Sequence, residues 1–293
     1  MPTRKPFIKI KFQQGHFPTL QFELHADSNR TRQNHLSGRV FLVTWLMVWS
    51  LACASHDCIQ GLHSRIKYIH EFKKIMFIIN CKNYPETMGK RMDKLASMAQ
   101  KASKKYGVKI AIAPPQHLLG MMPSDSVTIL AQHVDDMPVG STTGYVVPEL
   151  LKSSNVCGSL INHSEHRIPA GQIKGLVTRL RHLDMTSIVC VRNIAEVKKY
   201  TKLSPDYIAI EPPELIGSGK AVSTERPDLI SDAVSVVKSA ENKTRLLCGA
   251  GIVSDRDVSK AIELGAKGIL VASGIIKANN WSKTISEFAK SMV

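Results

Sequence analysis

The chain has 293 residues, 43% of them hydrophobic and 22% charged, with a formal net charge of +15. That length permits one large domain or two small ones around a sizeable core, and it suits an α/β barrel as a single domain. After residue 75 the basic residues form no cluster interleaved with aromatics, which argues against nucleic acid as a partner and leaves solubility or a small anionic substrate.

Residues 1–75 carry 11 Lys and Arg against 4 Asp and Glu, six of the eleven histidines and two of the three tryptophans. They show no repeating element. One apolar run, "VFLVTWLMVWSLACA" (Val40 to Ala54), is 15 residues long, short of the roughly 20 that span a bilayer. It ends in small residues like a signal core but lies farther from the first residue than the usual 15–30-residue signal allows. A short anchor, a misplaced signal and upstream sequence joined by a wrong start compete here. With Met76 directly before the first regular element, the last is the expectation, and 1–75 is read as a disordered extension or a mis-assigned start. The group Cys53, His56 and Cys58 lacks a distant ligand pair, so no metal is assigned.

From Met76 the texture changes. Eight apolar runs follow: "MFIINCK", "VKIAIAP", "VTILAQHV", "CGSLINHS", "TSIVCVRN", "YIAIEPP", "TRLLCGAG" and "KGILVAS". They are continuous rather than alternating, as strands covered on both faces are. Cys81, Cys157, Cys190 and Cys248 fall in or beside them, and no cysteine forms a C-x-x-C pair, a reduced and cytoplasmic pattern. Amphipathic segments lie between most runs. "TMGKRMDKLASMAQKASKKY" puts Met92, Leu95, Met98, Ala99 and Ala102 on one face, while "RPDLISDAVSVVKSA" and "DRDVSKAIELG" open with acidic residues that suit a helix N-terminus. Eight strand–helix units over 76–293 predict an α/β fold, a (β/α)8 TIM barrel behind a non-homologous N-terminal extension. A doubly wound sheet is the alternative, but no G-x-G-x-x-G follows the first strand.

In such a barrel the chemistry gathers where strands end. Those ends hold Asn80, Cys81 and Lys82; "NHSE" at 162–165; Glu211; Gly249-Ala250-Gly251; and Ala272-Ser273-Gly274. The small residues of the last two groups let backbone amides approach an anion, and the loops after strands seven and eight are this fold's usual phosphate site. Lys82 adds a positive charge. His163 and Glu211 remain as acid–base groups, which suits proton transfer next to a carbonyl. His163 is expected at a helix N-terminus, whose dipole would disfavour a positive imidazole. After Glu211, Pro212 and Pro213 stiffen one end of a segment that Gly217 and Gly219 loosen at the other. That is the pattern of a lid, and Glu214 lies within it.

The ordered set "INCKNY", "AQHVD", "LINHSEHR", "IAIEPPELIGSG", "LLCGAGI" and "VASG" resembles the triosephosphate isomerase family in its short archaeal form, over the whole of 76–293. The resemblance implies interconversion of dihydroxyacetone phosphate and glyceraldehyde 3-phosphate, in glycolysis and gluconeogenesis, with no cofactor. It implies Glu211 as the base, neutral His163 polarising the carbonyl, and Lys82 and Asn80 on the substrate. Ile216, Gly217, Gly251, Ala272 and Ser273 match its phosphate-binding positions. This family is the standing example of a glutamate base beside a neutral histidine under a closing lid. It also implies a homotetramer or homodimer. Two positions depart from the pattern: His166 stands where an arginine is expected, leaving an ion pair in doubt, and Arg192 stands where small polar residues are usual. The rivals are another sugar-phosphate barrel enzyme, or a non-catalytic or membrane-tethered phosphate-binding scaffold. The scaffold reading would be marked by loss of Glu211 or His163, and both are present.

Overall fold

The computed structural model describes residues 9–11, 21–23, 75–122 and 127–293. The chain divides into two units, Met1–Ile66 and Lys67–Val293. In the first, Lys9–Lys11 pairs antiparallel with Gln21–Glu23, Ile10 opposite Phe22. The apolar run at 40–54 and the Cys53, His56, Cys58 group lie outside the described residues.

All eight apolar runs of the second unit are parallel strands: β1 (Met76–Asn80), β2 (Lys109–Ala113), β3 (Thr128–Ile129), β4 (Gly158–Ile161), β5 (Thr186–Val191), β6 (Tyr207–Ile210), β7 (Arg245–Cys248) and β8 (Gly268–Val271). Their order is β3-β2-β1-β8-β7-β6-β5-β4. The two ends of the sheet meet through a parallel bridge, Ala131 to Ser159. There the Cys157 amide donates to the Ile129 carbonyl at 2.8 Å, Ala131 to Gly158 at 2.8 Å, and Leu160 to Ala131 at 2.9 Å. No doubly wound sheet closes this way.

A 3-10 helix, Gln116–Met121, lies between β2 and β3, and α-helices lie in the other connections and after β8: α1 (Arg91–Tyr106), α2 (Pro148–Ser153), α3 (Ala170–His182), α4 (Ile194–Thr201), α5 (Val222–Glu225), α6 (Pro227–Ser239), α7 (Asp255–Glu263), α8 (Ser273–Ile276) and α9 (Trp281–Lys290). Helix α1 buries Met92, Leu95, Ala96, Ala99 and Ala102, so Ala96 joins the expected face and Met98 sits at its edge. Fully buried Leu95 contributes about 2 kcal/mol by leaving water. Helix α7 starts with a capping box in which Ser254 and Asp257 satisfy each other's backbone amides. Among the described residues no helix is long and apolar enough to cross a membrane.

Side chains on each strand alternate between two cores. Met76, Ile78, Leu160, Ile188, Tyr207, Ala209, Leu247 and Leu270 belong to one that fills the barrel, while Phe77, Ile79, Ile161, Ile208, Ile210 and Ile269 pack in the other with the helices. The inward series on β1 and β6 reach Asn80 and Glu211 two residues on. The barrel interior therefore carries these polar side chains to its rim.

Candidate active site

One pocket at the strand ends is lined by Asn80, Lys82, His163, Glu211, Ile216, Gly217, Gly251, Ala272 and Ser273, together with Tyr84, Gly219, Ala250 and neighbours. The residues that the resemblance implies for catalysis and substrate binding are all in this lining, whereas Gly249 and Gly274 of the two small-residue turns are not. Ala250 belongs to the small-residue turn expected at an anion, whereas Tyr84 follows its strand end without a chemical signature of its own.

His163 and Glu211 face each other, Nε2 to Oε2 3.7 Å, each side chain 8% exposed. The Glu211 amide still donates to the Val191 carbonyl at 2.8 Å, so the sheet's ladder holds its backbone although the strand ends at Ile210. Its Oε2 is buried with no hydrogen-bond partner. An unpartnered buried carboxylate oxygen is costly in a resting fold and is available to take a proton. Beside it, burial and then the Glu211 charge push the Cys190 thiol well above its ordinary range, so the sulfur does not compete as an ionised group.

The helix expected at His163 is absent. A turn follows instead, with the His166 amide on the His163 carbonyl at 2.9 Å, and α3 begins only at Ala170. The five residues "SEHRI" and then Pro169 intervene, and the residue before a proline disfavours the helical region. Among the described residues the imidazole makes one hydrogen bond: the Glu165 amide donates to Nδ1 at 3.2 Å. An Nδ1 that accepts leaves the proton on Nε2, the nitrogen aimed at Glu211.

Lys82 has φ 45°, in the left-handed region that non-glycine residues rarely visit. Its amide donates to Asn80 Oδ1 at 3.0 Å and its carbonyl accepts from Gln132 Nε2 at 2.8 Å. The Gln132 amide, which the sequence reading did not single out, also reaches the Ala113 carbonyl at 3.1 Å. Lys82 Nζ contacts Glu165 Oε1 at 2.6 Å. One residue, Glu165, thus orients His163 through its backbone and Lys82 through its carboxylate.

The glycines after β7 divide their work. Gly251, at φ 70°, lines the pocket, and a Cβ there would lie 1.8 Å from the Lys220 carbonyl. Gly249 does not line the pocket; a Cβ there would lie 2.5 Å from Glu211 Cγ. Its small size makes room for the carboxylate, whereas the sequence reading grouped it with the anion site. Within the segment after Glu211, Pro213–Leu215 is a short 3-10 turn, Gly217 and Gly219 have φ 71° and 75°, and exposed Glu214 faces Arg226 at 3.6 Å.

The two departures are also accounted for. His166 stacks on His133, centroids 3.9 Å apart, and Arg167 pairs with Glu196. Arg192 bonds the same Glu196 oxygen, Nη2 to Oε1 2.8 Å. Burial works to raise the Glu196 carboxyl, but the Arg192 amide and both guanidiniums outweigh it and hold the group below its ordinary value. Arg167, one residue after His166, thus makes an ion pair that Arg192 reinforces. Among the described residues no group of three or more His, Cys, Asp or Glu side chains could hold a metal ion.

The triosephosphate isomerase family model matches residues 75–288. The chain belongs to the triosephosphate isomerase family. It is 59% identical over 217 residues to the triosephosphate isomerase of Cenarchaeum symbiosum, covering 74% of this chain and 97% of that protein. The enzymes of Methanothermus fervidus and Methanocaldococcus jannaschii are 43% and 40% identical, and 98% and 99% of their lengths are covered. All three are archaeal, as the motifs suggested, and the matches account for the barrel from end to end.

The Nε2–H tautomer of His163 is open to test. Nitrogen-15 NMR of histidine-labelled protein should show Nδ1 of His163 unprotonated and Nε2 protonated at neutral pH. An imidazolium signature at neutral pH would contradict the accepting Nδ1.

Proposed function

We infer that this isomerase interconverts dihydroxyacetone phosphate and D-glyceraldehyde 3-phosphate, and that Glu211 and His163 carry the proton transfer. The observation that carries the reading is the 3.7 Å approach of His163 Nε2 to an otherwise unpartnered Glu211 oxygen. Glu211 takes the proton from the carbon next to the carbonyl, and the electron pair moves onto the carbonyl oxygen. His163 Nε2–H and Lys82 Nζ stabilise the enediolate that forms, with Asn80 beside them. Glu211 returns the proton to the neighbouring carbon, which exchanges aldose for ketose without an external oxidant or cofactor. Gly251, Ala272 and Ser273, on the loops after β7 and β8, hold the phosphate together with Ile216 and Gly217 of the segment after β6. The segment from Pro212 to Lys220 closes over the intermediate and excludes water.

The same proposal makes the enzyme a cytoplasmic homo-oligomer, a homotetramer or homodimer. In support, the cysteines of the described residues are free, and Val139 and Tyr145 expose apolar surface on the long loop after β3. It also assigns the whole activity to residues 76–293. In support, the family match begins at 75, and the match to the Cenarchaeum symbiosum enzyme covers 97% of that protein within 217 residues.

The test uses the full chain and a Met76–Val293 truncation side by side. Both should isomerise triose phosphates, and in D2O both should place solvent deuterium on the carbon next to the carbonyl. The truncation should match the full chain in kcat/KM and exceed it in solubility. Failure of the full chain to isomerise would overturn the function; failure of the truncation to fold would overturn the domain assignment alone.

A further inference from the structure

We propose that Asn162 is a positioning residue that aims His163. The proposal rests on the reading of His163 as the group that meets the substrate carbonyl. On β4, Leu160 belongs to the barrel core and Ile161 to the outer one. Continued alternation would turn Asn162 inward and send His163 outward beneath the helices. The histidine instead faces Glu211 across the mouth.

The reversal takes place at Asn162, whose φ is 65°. Its side chain then uses both ends of its amide. Nδ2 donates to the Cys190 carbonyl of β5 at 3.0 Å, and Oδ1 accepts from the Ile168 amide at 3.2 Å. The turn is thereby tied to the neighbouring strand on one side and to the far end of the 163–168 segment on the other. Asn162 is 1% exposed and does not line the pocket, so it acts through His163 and not on the substrate.

Few side chains meet all these demands. Glycine adopts the left-handed conformation freely but makes neither bond. Aspartate has the same shape but would turn an acceptor toward the Cys190 carbonyl. Asparagine tolerates the backbone and supplies both a donor and an acceptor. A histidine that must meet a carbonyl within a fraction of an ångström gains from such a clamp, because small misplacements at a reacting centre cost large factors in rate.

The experiment compares Asn162→Gly, Asn162→Asp and His163→Gln with the wild type. The glycine and aspartate variants should stay folded and lose about 10- to 100-fold in kcat with KM unchanged. Their His163 nitrogen-15 resonances should broaden or split where the wild type gives one tautomer. A purely structural role would lower the melting temperature yet leave kcat per folded molecule and the His163 spectrum intact, and that result overturns the proposal while His163→Gln is impaired. Wild-type kcat in His163→Gln overturns the parent reading of His163 instead. Should the glycine variant fail to fold, the near-isosteric aspartate variant decides by the same readouts.

Discussion

Glu211→Gln is expected to fold like the wild type, to keep its affinity for phosphorylated ligands, and to lose at least about 10³-fold in kcat, the upper range of what a positioned general base supplies. That factor is about 4 kcal/mol of activation free energy. The amide cannot accept a proton at working pH, yet it has the shape of the carboxylate and fits the same space. Stability should not fall. The native Oε2 is buried without a partner, so the wild type already bears the cost of a desolvated acceptor, about 1–3 kcal/mol for a group of this kind. Replacing a buried charge with a neutral group removes part of that cost, and the melting temperature should hold or rise. Turnover near the wild-type level in this variant would remove Glu211 from the mechanism.

Gly249→Ala should come second in effect, with a loss of about 10²-fold in kcat and a smaller change in KM. A Cβ at this position meets Glu211 Cγ at 2.5 Å, Cδ at 3.1 Å and Oε1 at 3.1 Å, and meets no backbone within the three closest contacts. The clash is relieved by rotating the glutamate away, which preserves the fold and spoils the aim. The backbone of Gly249 has no positive φ, so alanine adds no torsional strain. Steady-state kinetics of the variant, with circular dichroism as the control for folding, make the check. An alanine variant with wild-type kcat would show that Glu211 does not need the space.

The barrel was legible because each strand is an uninterrupted apolar run, and a parallel sheet covered on both faces imposes that composition. Even the two-residue β3 was marked by "VTILAQHV", whose side chains are buried beyond the residues that bond as strand. Asn80, Lys82 and Glu211 were legible for a related reason: each stands where an apolar run stops, and no apolar core tolerates a bare polar side chain. What escaped the sequence was direction. A positive φ at Lys82 or Asn162 leaves no mark that composition or spacing reveals, since any side chain at the end of a run looks alike. The same holds for Gln132, whose amide reaches a carbonyl 50 residues away in the chain. Gly249 was visible as a small residue, but Glu211 comes beside it only after β6 and β7 have paired. The misplaced helix at His163 came from reading a strand end as if a helix must follow at once.

The alternation that places Tyr207, Ala209 and Glu211 on one side of β6 bears on how this enzyme tolerates insertions and deletions. Removing a single residue between 207 and 210 would move the carboxylate from the barrel mouth to the layer under the helices, because the period of a strand is two. No side-chain substitution elsewhere restores it. An insertion in the connections that follow the helices shifts no parity and leaves the mouth intact. Lineages of this fold are therefore free to lengthen and shorten at the rims, while the eight strands behave as a reading frame in which only paired changes keep the sense.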